Sequence, residues 1–313
     1  MFAIRERITH LLLVLVLLAL IGVMAMLATD ARGGPLDPAG PPASTSSVRL
    51  PGTPIDPPSN PASYPIVIAS SGHYYLTGNL NPPVDTRAIT ISASDVSLDL
   101  GGFTVSGSGP GTAVGVLVFG AQQRIQIGNG TVRGFPSAGI QAAGATRVLI
   151  HDVTAVENET GIYVTSEAVV RDCNASSNSD SGILISGSRS RIDGCLVASN
   201  AFVGISLQNG SGVVVQGSQI ENNNTSGVSV GGILLNSMDG ATIRDNDFFG
   251  NLLRDAHLNF TSDNNIFINN TFTCPATHIN EGANNFIPMN TADAGTNRAH
   301  LSGAAPECSG GGQ

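Results

Sequence analysis

Two short patterns of apolar and polar positions alternate along the middle of the chain. One is a glycine followed by an apolar-x-apolar triplet: Gly115-Val-Leu-Val, Gly139-Ile-Gln-Ala, Gly161-Ile-Tyr-Val, Gly182-Ile-Leu-Ile and Gly204-Ile-Ser-Leu, continued at Gly227 or Gly232. The other is an apolar strand that ends in a polar pair, as in Val148-Leu-Ile-His-Asp, Val169-Val-Arg-Asp and Ile243-Arg-Asp-Asn. Alternation with a period of two over so few residues predicts short strands with one buried face.

The polar pairs set a register. Aligning Asp152, Asp172, Gly194, Gly217, Asp245 and Asn269 gives spacings of 20, 22, 23, 28 and 24. A period of this size fits one coil of an all-β, right-handed parallel β-helix, a solenoid whose equivalent residues stack about 4.8 Å apart. Six residues beyond the first five of these positions stand Asn158, Asn178, Asn200, Asn223 and Asn251. Stacked asparagines can bond to one another and satisfy the backbone groups of a turn. Asn158-Glu-Thr and Asn223-Asn-Thr also match a glycosylation sequon, but a turn ladder accounts for all five positions at once. An antiparallel sandwich would not keep one residue type at one phase, and the consensus of leucine-rich repeats is missing.

The ends read differently. Arg5 and Arg7 precede an unbroken apolar run from Leu11 to Ala28. Residues 1–31 are thus expected to be an export segment, either a cleaved signal peptide or an uncleaved membrane anchor, since the run is long for the first and just sufficient for the second. Small residues at Ala25, Ala28 and Ala31 favour cleavage. Ten prolines between Arg32 and Pro65 predict a semi-extended linker over 32–64. The β-helix is expected over 65–280, with His73, Tyr74 and Tyr75 packing an N-terminal cap. An irregular tail is expected over 281–313, with His257 and His278 contributing to the packing at that end.

Composition narrows the function. All 14 basic residues are Arg and the formal net charge is −9, so the basic stripe of a nucleic-acid surface is absent. The same charge repels a polyanion at long range unless arginines cluster or a divalent cation bridges the two. Cys173 and Cys195 share a phase in neighbouring coils, where they read as small core residues or as a stacked disulfide. Cys274 and Cys308 bracket the tail, and a disulfide between them would tie it to the last coil in an oxidising compartment.

Tyr74-Tyr-Leu-Thr-Gly-Asn-Leu, Val96-Ser-Leu-Asp-Leu-Gly-Gly-Phe-Thr-Val, Asn129-Gly-Thr-Val-Arg-Gly-Phe and the repeated Asn-x-x-x-Gly-Ile units carry a resemblance. Together, over about Pro65 to Asn280, they resemble the bacterial exported proteins with parallel β-helix repeats, within the pectin-lyase-like superfamily. What that resemblance implies is binding to, or action on, acidic polysaccharide by lyases, hydrolases and epimerases. The chain departs from their active-site patterns: it has no Lys, no Asp-Pro-His-Glu string, and no Asn-Thr-Asp or His-Gly element.

Chemistry on a uronate needs a neutraliser for the sugar carboxylate and a base; glycoside hydrolysis needs two carboxylates. The phase just before the corner reads His151, Arg171, Asp193, Gln216 and Arg244, and the corner itself carries Asp152 and Asp172. If the protein is catalytic, the expected site is His151, Asp152, Arg171 and Asp172, with His151 as base. Asp152 and Asp172 should come to about 5 Å apart. So placed, they must share a proton, hold a Ca²⁺ ion or lean on Arg171. Asp193, Arg244 and the outward Tyr163 are candidate substrate contacts. The leading expectation is a monomeric, exported carbohydrate-binding protein of the secreted, periplasmic or cell-surface kind. It needs no cofactor and meets a membrane only through its N-terminal segment. A polysaccharide lyase and a structural envelope protein are the alternatives.

Overall fold

The computed structural model describes residues 52–227, 231–252, 254–259, 261–272, 285 and 291–292. Its strands form a 17-stranded and a 9-stranded sheet, each built from parallel pairs that join one coil to the next. The coil from Val169 shows the plan. Val169–Arg171 and Asn174–Ser176 belong to the larger sheet and Ser181–Ser186 to the smaller one, after which Arg191–Asp193 begins the next coil.

From Thr104–Ser106 onward, each three-residue strand of the larger sheet points its middle side chain inward. In register, Leu98, Ile127, Ile150, Val170, Ile192, Val215, Ile243 and Phe267 make one core column, and none is more than 1% exposed. A second column of Ile140, Ile162, Ile183, Ile205 and Ile233 rises through the smaller sheet. Burying one such side chain is worth about 1.5–3 kcal/mol, so the stacked columns supply the main stabilising term.

The chain turns between strands through residues in the left-handed region. In the coil from Val169 these are Asp172, Ser177 and Arg189, with φ of 53°, 56° and 57°. The positions aligned in the sequence, Asp152, Asp172, Gly194, Gly217, Asp245 and Asn269, all have φ between 53° and 60°. Only Gly, and next Asn and Asp, take this conformation at low cost, so the corner itself selects those residue types.

The residue after each corner faces inward and closes the turn. Asn158, Asn178, Asn200, Asn223 and Asn251 are at most 2% exposed. Each Nδ2 donates to a backbone carbonyl one coil back, as Asn200 does to Ala175 at 3.0 Å. Each Oδ1 in this run accepts the backbone N–H of the equivalent residue one coil back, and Asp255 receives the last Nδ2, from Asn251, at 2.9 Å. The ladder expected from the sequence is present. A shorter one follows the Asp corner, where Ser218, Asn246 and Asn270 take the N–H groups of Cys195, Ser218 and Asn246.

At the remaining corner, charged side chains stack. Arg124 pairs with Asp95, and Glu167 lies between Arg147 at 3.3 Å and Arg189 at 2.8 Å. The Arg124 guanidinium holds the Asp95 carboxyl below its ordinary range, and Arg189, then Arg147, do the same for Glu167. These pairs are largely exposed and individually weak.

Both ends of the solenoid reach beyond the stretch read from the repeat. Thr53–Ile55 pairs with Tyr74–Leu76, so the first strand lies within the proline-rich segment; prolines are tolerated on such a terminal strand. There His73 stacks beside Tyr75, their ring centroids 6.4 Å apart. At the other end, Asn285 accepts from Asn265 at 2.9 and 3.0 Å, and Thr291–Ala292 pairs with Thr271–Phe272. The export segment, most of the proline-rich stretch, His278, Cys274 and Cys308 lie outside the described residues.

Candidate functional site

The register puts His151, Arg171, Asp193, Gln216 and Arg244 on successive rungs of one outward column. Asp152 and Asp172 follow at the left-handed corner. The arrangement of partners is local. Asp152 accepts from His151 Nδ1 at 2.7 Å and Asp172 from Arg171 Nη1 at 2.7 Å, so each carboxylate is bonded by the residue before it in its own coil, and at Asp172 that partner is a cation. Of the three arrangements open to a close carboxylate pair, leaning on a neighbouring cation is the one adopted at Asp172.

His151 is engaged on both ring nitrogens. Its Nε2 lies 2.7 Å from Gln126 Nε2, which as an amide donor fixes the proton on Nδ1, facing Asp152. The ring is 15% exposed and rests over Gly128, where a Cβ would stand 2.5 Å from its Cε1. A histidine held this way has no free nitrogen for a substrate proton.

Asp193 accepts from Gln216 Nε2 at 2.9 Å, and Gln216 in turn receives Arg244, which also pairs with Asp245 at 2.9 Å. Arg244 is three rungs from Arg171, about 14 Å along the axis. Tyr163 lies on the smaller sheet, between Gln141 and Leu184 in register. It is therefore on a different face from the His151 column.

A shallow groove of about 440 Å³ runs across three coils on the far side of the Asp corner. Asp152, Thr154, Asp172, Cys173, Asn174, Gly194 and Leu196 line it. The carboxylates of Asp152 and Asp172 are more than half exposed. Asn174 Oδ1 is buried and has no donor within the protein. Thr154 and Asn174 were not singled out from the sequence, although their alternation with Val153, Ala155, Cys173 and Ala175 marks them as outward on the strand after the corner. Among the described residues no three His, Cys, Asp or Glu side chains gather as a metal set.

The family profile of the right handed beta helix region matches residues 114–272, half of the chain. The chain belongs to the right-handed β-helix family. Among solved structures, this β-helix is similar to the enzymatically active domain of tailspike protein 2 of bacteriophage CBA120, with 14% identity and a TM-score of 0.54 over 77% of this chain and 42% of that one. It is also similar to ORF18 of Geobacillus virus E2, with 13% identity and a TM-score of 0.53 over 72% of this chain and 49% of that one. The β-helix thus spans under half the length of either. At these identities the likeness is one of fold. No curated protein matches the sequence.

Proposed function

We propose that this β-helix binds a polysaccharide in the groove beside Asp152 and Asp172 and does not cleave it. The carrying observation is the set of acceptors there: two carboxylates and the buried Asn174 Oδ1, which no group of the protein satisfies. A buried acceptor left without a donor costs about 1–3 kcal/mol, so turning the Asn174 amide out into the groove to meet a sugar hydroxyl is favoured. Rungs about 4.8 Å apart are close to the length of one pyranose unit, so a linear chain laid along the axis meets an equivalent rung at each sugar.

Charge selects the class of glycan. Two carboxylates and a net charge of −9 oppose a uronate polymer and favour neutral sugars, whose hydroxyls donate. Catalysis is disfavoured because His151 is bonded at both nitrogens and both carboxylates are paired. The apolar run at Leu11–Ala28 would place this binding surface across a membrane from the cytoplasm.

The test is a glycan array probed with the full chain, then titration of the best neutral hit against the parent and Asp172→Asn. Specific binding weakened at least tenfold by the substitution is expected. Binding unaffected by it would remove this groove from consideration, and an unsaturated uronate product in a companion lyase assay would overturn the non-catalytic reading.

A further inference from the structure

Cys173 and Cys195 each follow a left-handed corner in successive coils, and their neighbours Asn174 and Leu196 are paired in register. Both are free thiols, 3% and 2% exposed. Parallel pairing brings equivalent Cα atoms to about 4.8 Å, inside the range that disulfides span.

Their orientation follows from the column they occupy. In the later rungs the side chain after the corner aims its oxygen one coil back, as Ser218 Oγ does toward the Cys195 N–H at 3.1 Å. Cys195 stands in the same column and aims its sulfur at Cys173. Its Sγ lies 3.7 Å from the Val170 carbonyl, just as Cys173 Sγ lies 3.8 Å from the Ile150 carbonyl one coil earlier. The Cys173 thiol lies 3.1 Å from the Arg171 carbonyl of its own coil; the neighbouring Cys195 side chain, together with burial, pushes Cys173 up, and the Cys173 side chain pulls Cys195 down. Cys173 also lines the groove, which gives a small molecule a way in.

We propose that Cys173 and Cys195 form a modification site for a small hydroperoxide, which converts them to a disulfide stapling two coils of the groove. With hydrogen peroxide, the Cys195 thiolate attacks one oxygen and the O–O bond breaks. The departing hydroxide takes a proton and leaves as water, and Cys195 becomes a sulfenic acid. The Cys173 sulfur then displaces that hydroxyl and releases its own proton; a second water leaves and the S–S bond forms. Two thiols are oxidised and one peroxide is reduced. The site stands whether or not the groove binds sugar.

The experiment uses the full chain carrying Cys274→Ser and Cys308→Ser, treated with hydrogen peroxide, denatured, labelled with maleimide and digested without reductant for mass spectrometry. Expected are the loss of both labels, their return after dithiothreitol, and one peptide pair joined through Cys173 and Cys195, two hydrogens lighter than its parts. The thermal midpoint should rise by several degrees on oxidation, and Cys195→Ser, which repeats the Ser already present at 218, should abolish that rise. If the double serine variant fails to fold, the same peptide map on the parent separates a Cys173–Cys195 link from any other by mass. Thiols that stay fully labelled, oxidation that stops at sulfinic acid, or links only between molecules would overturn the proposal.

Discussion

Asn200 Oδ1 accepts both the backbone N–H and the side-chain Nδ2 of Asn178, one coil earlier, at 3.0 and 2.9 Å. The same residue donates to Ala175 O and to Asn223 Oδ1. Replacing it with Ala leaves a buried N–H and a buried carbonyl without partners, and is expected to cost about 3 kcal/mol. Denaturant unfolding of Asn200→Ala checks this; a midpoint equal to that of the parent would mean that the ladder contributes nothing.

At Asp172 conformation and chemistry can be separated. Its φ of 53° suits Gly, so Asp172→Gly should stay within about 1 kcal/mol of the parent, while Asp172→Val should lose about 2 kcal/mol from backbone strain alone. Glycan binding should fall in both. Equal stabilities would show that the corner does not constrain residue type.

The stacked ion pairs predict a pH dependence. Asp95 and Glu167 have folded-state pKa values below their unfolded ones, so their contribution is present at neutral pH and lost as pH falls through the carboxylate range, below about pH 4. The thermal midpoint should drop across that window. In Arg147→Ala/Arg189→Ala the drop should be shallower; parallel curves would mean that Glu167 does not contribute through its arginines.

Gly210 meets backbone, not side chain. A Cβ there would stand 1.9 Å from the Gly187 carbonyl oxygen and 2.3 Å from its carbon. Two packed coils cannot part to admit it without loss of their pairing, so Gly210→Ala should cost about 3 kcal/mol. A calorimetric midpoint within a degree of the parent would contradict this.

The parts of the fold that were legible in the sequence are those where geometry demands one residue type at one phase. The buried turn accepts Asn, which made the ladder visible, and the left-handed corner prefers Asp, Asn or Gly, which made the coil length visible. The corner bearing Arg147, Glu167 and Arg189 was hidden because no common residue type marks it. The rung at Ile125-Gln-Ile-Gly-Asn129 escaped because Gly128 stands where the other coils carry a polar side chain; Asn129, with φ of 62°, is the equivalent of Asp152. Prolines masked the strand Thr53–Ile55. Of the candidate site, the column from His151 to Arg244 follows from register, whereas the pairing of each carboxylate within its own coil depends on side-chain rotamers that a repeat does not encode.

In the ladder from Asn158 to Asn251, each turn takes its acceptor from the coil that follows it in sequence, so these bonds run in one direction along the molecule. A corner made during synthesis therefore waits for some twenty more residues before its N–H finds an oxygen. A ribosome delivering this stretch from the N-terminal side always leaves one turn open at the growing edge, whereas the last side-chain amide of the ladder, on Asn251, finds its acceptor in Asp255 only four residues on.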